Sequence, residues 1–427
     1  MALKDKLVIF GGEPAVTIDS SEQWKRPVEE EKKLVNELLD QGILSAAGTG
    51  LPKEFEEGFR RVIGSEYCLT TDHGTTALES AYYAAGVGPG DEVIQPTFTW
   101  ICSYSGAMTH MGARIVFCDI EPKTLLLDPN DVERKITKRT RAIVPVHMCG
   151  NVCDMDAMMD IGRRYGITII EDCAHATGAE WDGKRVGNVG DIGGFSLQGS
   201  NPTGKPVCGG EGGVTTTNSR ELYERMLISC HLNRAGLTGE LTNPEYRKLS
   251  NRVLGIKSRA LPFALAIATV SLRTLDYRNQ RREENRKTVF DALSELPGLE
   301  PVHAHTKAKP SGFYANLKVL YNADELGGLP ASKFVEAVSA EGAPISGPGL
   351  VLEHLIPLMT QGFDIWGKGR GPLGNDFKGY KKGDCPVAES LADKVITLPP
   401  YIEPKTGFLD QYIAAFRKVT LNYKELL

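Results

Sequence analysis

The sequence predicts an α/β fold: a three-layer large domain on a mostly parallel seven-stranded sheet, followed by a smaller C-terminal α/β domain. Three observations carry this. Between residues 67 and 172 short hydrophobic runs alternate with helical patterns, which implies right-handed strand–helix–strand units and parallel pairing. Two further β-rich runs, 192–198 and 212–217, bring the strand count to seven. After Arg220 the pattern turns helical and then mixed, and 427 residues exceed one ordinary core.

In chain order, residues 1–25 read as an N-terminal arm with a short apolar patch at 7–10. Val35, Leu38 and Leu39 recur at helical spacing over 29–39, and Phe55, Phe59 and Val62 mark a second amphipathic helix. These open a large domain spanning 26–260. Its strands are expected at 67–71, 92–96, 114–120, 140–147 and 168–172, before the two later runs. The intervening helices are expected at 75–85, 101–111, 129–136 and 155–165. One long helix over 261–295 connects to the small domain, 296–427, with a strand at 314–320, helices at 332–341 and 407–423, and a Gly/Lys-rich loop at 367–383.

Composition narrows the function classes. Hydrophobic content of 41% and charged content of 24% suit a globular protein. A net charge of −5 argues against nucleic acid or an anionic membrane as partner, while leaving room for a local phosphate pocket. The first twelve residues hold too short an apolar run for a signal peptide, and the longest apolar stretch, 260–272, is shorter than the roughly 20 residues of a membrane span. Nine cysteines without framework spacing point to a reducing, cytoplasmic setting. His147, Cys149 and Cys153 lie close in sequence, but Cys149 and Cys153 are four apart, not CxxC; this reads as a loop and no metal is expected.

The chemistry concentrates in residues 169–213. A hydrophobic strand ends in Asp172, and an acid there needs a partner, because a buried charge is costly. Such a partner is a protonated ring nitrogen; the other reading is an acid that caps the next turn. Lys205, the only lysine between Lys184 and Lys248, precedes a glycine-rich run and is the local candidate for a Schiff base. His175 follows Asp172 by three positions. His73-Gly74-Thr75-Thr76 follows a strand and opens a helix, which makes an anion site or an ordinary capped turn. In the anion reading Gly74 lets a phosphate approach the backbone. Ser196 and Gln198 alternate on one strand face, and Trp100 offers an aromatic face or a core side chain.

From about Leu34 to the C-terminus the chain resembles the DegT/DnrJ/EryC1/StrS aminotransferases, the sugar and cyclitol branch of fold-type I pyridoxal-phosphate enzymes. The runs that carry the resemblance are GTTAL, GVGPGDEVIQPTFTW, VPVHMCGNVCDMDAM, IIEDCAHATGA, FSLQ, KPVCGGEGG and CPVAESLADKVITLPPY. The resemblance implies that Gly74, Thr75, Ser196 and Gln198 bind the phosphate of pyridoxal 5′-phosphate. It further implies that Trp100 stacks on the ring, Asp172 pairs with its nitrogen, His175 lies beside it and Lys205 forms the Schiff base.

Two departures stand out. Asn201-Pro202-Thr203-Gly204 separates Lys205 from Ser200, where the family's lysine follows almost at once. This reads as an insertion; the alternative puts Asn201 in the lysine's place. Second, Gly255-Ile256-Lys257-Ser258-Arg259-Ala260 stands where the family often has GxNxRM, so Lys257 takes over a contact to the partner subunit's phosphate. The implied reaction is a two-stage transfer of an amino group from L-glutamate or L-glutamine, with Lys205 shuttling the proton, within a homodimer. The acceptor is a keto-cyclitol or a keto-sugar nucleotide, for which Arg234, Arg247 and Arg252 line a groove or form a solvated face. A regulatory relative without turnover is a further alternative. A dehydratase, with histidine for the lysine, is not supported, since His231 is too far along the chain.

Overall fold

A computed structural model describes residues 6–231, 234, 239–249, 255–310, 317–374 and 376–427. The main sheet contains β1 (Tyr67–Thr71), β2 (Glu92–Pro96), β3 (Arg114–Cys118), β4 (Thr140–Ile143) and β5 (Thr168–Asp172). A small hairpin follows, β6 (Glu180–Trp181) and β7 (Lys184–Arg185), before β8 (Ile192–Ser196) and β9 (Gly213–Thr217) return to the sheet. The strand order is β1-β9-β8-β5-β4-β2-β3. Only β9 runs antiparallel to its neighbours; every other pairing is parallel.

Both faces of this sheet are buried, and alternate residues of one strand feed two cores. Ile170, Val93 and Ala142 belong to one cluster, with Leu78 and Tyr82 of the helix Gly74–Ala84 and Leu227 of Arg220–Cys230. Ile169, Ile94 and Ile143 belong to the other, with Phe55 and Phe59 of Leu51–Ile63, Met158 of Met155–Tyr165 and Leu265 of Pro262–Arg273. This is the three-layer arrangement expected when period-two burial meets helices on both faces.

The C-terminal part has its own core, including Phe290, Val319, Phe334, Phe408 and Phe416. It rests on an antiparallel sheet of β10 (Leu299–Pro301), β12 (Leu317–Tyr321) and β13 (Val395–Leu398), while β11 (Ala308–Lys309) pairs with β6. The N-terminal segment is packed into this core through Leu7 and Val16. Of the strand expected at 314–320, residues 314–316 lie outside the described residues. No described helix is long and apolar enough to cross a membrane.

Three expected elements differ by more than two residues at an end. The helix over 101–111 is a 3₁₀ turn, Ile101–Ser103, and a short helix, Ser105–Thr109. They part at Tyr104, whose fully buried ring packs edge-on against Phe117 and whose hydroxyl donates to Glu353 Oε2 (2.5 Å). Tertiary burial of one aromatic outweighs local helix propensity there. The helix over 261–295 is two, Pro262–Arg273 and Leu275–Ser294. At Thr274 between them the hydroxyl donates to Ser271 O (3.2 Å) and accepts from Arg278 Nε (3.1 Å), local bonds that compete with a continuous helix. The strand over 140–147 stops at Ile143, two residues before Pro145, which has no N–H to donate.

Candidate active site

The carboxyl ends of β1, β2, β5 and β8 open onto one cavity of about 270 Å³, where ligands of such sheets gather. His73, Gly74 and Thr75 reach it after β1, Trp100 after β2, Asp172 and His175 from the end of β5, and Ser196 and Gln198 from the end of β8. Lys205 enters from the loop between β8 and β9. Of the residues that the resemblance assigns to the cofactor, Lys257 is the one that lies elsewhere: it is exposed and bridges to His231.

Asp172 is held through its backbone. Its N–H donates to Pro145 O and its carbonyl accepts from His147 N–H, both at 3.0 Å. Beneath it His147 and Glu171, both completely buried, pair at 3.1 Å, and Glu171 Oε1 accepts from Val189 and Gly190 N–H. Side-chain atoms of His147, Glu171 and Cys173 converge within 4.8 Å, a triplet whose histidine is already spent on Glu171 and on Cys153 N–H. Asp172 Oδ1 accepts from Ala174 N–H (3.0 Å), so the carboxylate caps the next turn and lines the cavity at once. The capping reading of this acid holds, and it leaves the carboxylate at the cavity wall.

His175 Nδ1 accepts from Cys149 N–H (3.3 Å). Burial, aided by the positive charges of Lys205 and Lys318, holds its pKa well below the ordinary histidine value. The ring is therefore neutral and carries its proton on Nε2.

At the opposite side, the helix Gly74–Ala84 presents its first N–H groups, which have no acceptor within the helix. Thr76 is occupied: its hydroxyl bonds Asp72 Oδ1 (2.5 Å) and accepts from His73 N–H (3.2 Å). Thr75 is the threonine that faces the cavity. Packing gives Gly74 a reason of its own, beside the phosphate approach expected from sequence. A Cβ there would lie 2.7 Å from Ser196 Cβ, so the missing side chain lets the helix start pack against the end of β8. Trp100 is no core residue; it is 61% exposed at the cavity wall.

The lysine loop is built from inside. Lys205 is 8% exposed, and burial lowers its amine from 10.5 to about 8, with Asp172 opposing that drop. The inserted residues turn away from the cavity. Asn201 is buried, donating to Ser271 Oγ (2.6 Å) and accepting from Arg278 Nη1 (2.9 Å). Arg282 Nη2 donates to Pro202 O (2.5 Å), and Arg278 Nη2 to Pro206 O (2.7 Å). Cys208 Sγ donates to the carbonyl of Lys205 itself (2.9 Å). Asn201 does not take the lysine's place, and His231, which is buried, does not line the cavity either.

Sequence reasoning missed Cys102, Ser103, Met148 and Glu211 in the cavity wall. Glu211 lies within the GEGG run, which gave a signal; the others reach the wall only through the broken helix after Trp100 and the turn after β4. It also missed the support of that wall, where Gln95 Nε2 donates to Tyr82 Oη (2.8 Å) and to Ser103 O (3.2 Å). The basic groove loses its first member: Arg234 is 1% exposed and bound to Glu56 (2.8 Å) and Glu240 (2.9 Å). Arg247 is exposed, and Arg252 lies outside the described residues.

Residues 26–344 match the model of the DegT/DnrJ/EryC1/StrS aminotransferase family. The chain belongs to that family. This aminotransferase is 32% identical over 438 aligned positions to the L-glutamine:2-deoxy-scyllo-inosose aminotransferase of Micromonospora echinospora, covering 98% of this chain and 99% of the relative. It is 37% identical over 253 positions to the GDP-perosamine synthase of Caulobacter vibrioides, covering 59% and 64%. Its fold matches the X-ray structure of an aminotransferase from Psychrobacter cryohalolentis with a TM-score of 0.80 at 24% identity, covering 95% of this chain and 99% of that one. The sheet, with its single antiparallel strand, is the fold-type I aminotransferase sheet that the sequence predicts.

Proposed function

We propose that this aminotransferase uses pyridoxal 5′-phosphate to move the amino group of L-glutamine to the ketone of a cyclitol. The observation that carries the cofactor reading is Lys205, a buried amine lowered to about 8, in one cavity with Asp172 and an open helix N-terminus. The donor set fits the group: a nucleophilic amine, a carboxylate for a ring nitrogen, an aromatic face and a helix start for a phosphate. When bound, the cofactor supplies an aldehyde for amine capture and a ring that acts as an electron sink.

The residues then divide the work. The first N–H groups of the helix at Gly74 and Thr75, with the Thr75 and Ser196 hydroxyls and Gln198, hold the phosphate. Trp100 covers the ring, Asp172 accepts from its protonated nitrogen, and neutral His175 donates from Nε2. Lys205, with its pKa near the working pH, takes the proton of the donor's α-carbon and returns it. Lys257 belongs to the partner subunit's phosphate site in a cytoplasmic homodimer. The same proposal divides the chain into an arm (1–25), a large domain (26–260), a connecting segment (261–295) and a small domain (296–427).

A cyclitol acceptor is favoured over a sugar nucleotide because Arg234, the first residue expected to line a diphosphate groove, is consumed by Glu56 and Glu240. The name of the Micromonospora relative agrees. Purified protein should absorb as a lysine-bound cofactor, Lys205→Ala should lose that band, and L-glutamine should bleach it in the wild type. A band that survives in the variant would refute the lysine assignment. No response to any amino donor would refute transamination.

A further inference from the structure

Lys318 sits in the middle strand of the small-domain sheet, but its side chain leaves that domain's core. Along β12, Leu317, Val319 and Tyr321 enter the small-domain core, while Leu320 packs against the large-domain cluster. Lys318 shares the face of Leu320. It lines a crevice between the domains with Phe98, Met148 and Cys149 of the large domain and Val302 of the small one. Met148 also lines the main cavity, so a single flexible thioether side chain borders both spaces.

The turn that carries Met148 is shaped for this position. Cys149 adopts φ 56°, ψ 21°, a left-handed conformation that a non-glycine residue keeps only when its surroundings enforce it. That conformation directs its N–H to His175 Nδ1 and its side chain into the crevice beside Lys318. Two lysines thus flank His175 and Cys149, and both charges act on them: Lys205 from the large domain and Lys318 from the small.

The cavity itself is poor in positive charge. Among the described residues Lys205 is its only lysine, and it is committed to the reacting centre, while Asp172 and Glu211 are both acids. An amino-acid donor must bring a carboxylate into this acidic setting. Lys318 Nζ gives one hydrogen bond to Thr397 Oγ1 (2.8 Å) and has two further N–H donors; no carboxylate pairs with it among the described residues. We propose that Lys318 is the anchor for the carboxylate of the amino donor, received through the Met148 side of the cavity. This rests on the aminotransferase reading above.

The test is Lys318→Met, which keeps the stem and removes the charge, beside Lys318→Arg, which keeps it. In the donor half-reaction of the holoenzyme, Lys318→Met is expected to raise the KM for L-glutamine by about tenfold to a hundredfold, the worth of a charge-assisted bond. The KM for the keto acceptor is expected to stay within about twofold, and Lys318→Arg to recover most of the donor affinity. In the cofactor-free protein, NMR titration of His175 is expected to give a higher pKa in Lys318→Met than in the wild type. An unchanged donor KM in a variant that still shows the cofactor band would overturn the proposal and leave the cofactor reading standing. So would equal rises in both KM values, or no recovery by arginine. A wild type without the band would instead sink the cofactor reading.

Discussion

Replacing Lys205 by methionine is expected to stabilise the cofactor-free protein at neutral pH. The folded protein lowers this amine from 10.5 to about 8, mainly because burial penalises the charged form. At roughly 1.36 kcal/mol per pH unit, that drop amounts to about 3 kcal/mol of folding free energy. Below pH 8 both folded and unfolded chains hold the proton, so the penalty applies in full. Between 8 and 10.5 the folded chain gives up its proton first, the unfolded chain binds more protons, and stability rises with pH. Above 10.5 both amines are neutral and the penalty vanishes. The variant has no ammonium to bury and escapes the cost throughout. Urea unfolding of the two cofactor-free proteins, followed by tryptophan fluorescence, should find Lys205→Met more stable by about 3 kcal/mol at pH 7. The gap should shrink below about 1 kcal/mol by pH 10. Equal stability at pH 7, or a gap that persists undiminished at pH 10, would refute the argument that desolvation poises this amine. The expected outcome is also a trade-off: the group that makes the site reactive weakens the fold around it.

Two further substitutions test the walls of the site. Gly74→Ala places a Cβ at 2.7 Å from Ser196 Cβ and must push the helix start from the end of β8. Cofactor affinity, read by fluorescence titration, should fall by about tenfold or more as charge-assisted contacts to the phosphate lengthen; unchanged affinity would show that this close approach is not what sets the phosphate site. Asn201→Ala removes the acceptor of Nη1 of a fully buried Arg278 guanidinium and one donor to Ser271. Unfolding should show a loss of about 2–3 kcal/mol, and a near-neutral result would mean that water or a neighbour replaces the amide.

How much was legible beforehand follows from the range of the forces involved. Strand β5 could be read directly: Ile169 and Ile170 each enter a different core, and a run buried on both faces in this way must lie inside a sheet. Asp172 at its end was legible for the same reason, since an acid at that point needs a partner. The GTT turn was recognisable and the resemblance singled out Thr75, but the physical reason that Thr75 rather than Thr76 faces the cavity was not legible; it is that Asp72 captures Thr76. The helix break at Thr274 was hidden because the residues around it favour helix, and only the buried Arg278 makes a competing bond worthwhile.

The inserted residues 201–204 draw the same line most sharply. The sequence by itself determined that four residues precede Lys205, that the lysine keeps its spacing to the glycine run, and that the surrounding chain is a strand-and-turn framework. Only the tertiary structure decided where the insertion goes. Its side chains and carbonyls are met by Arg278 and Arg282, 77 and 80 positions further along. Periodicity, turn chemistry and helix caps act over a few residues and are written in order along the chain. A buried guanidinium chooses its acceptors by proximity in space, after the sheet and helices have brought them together.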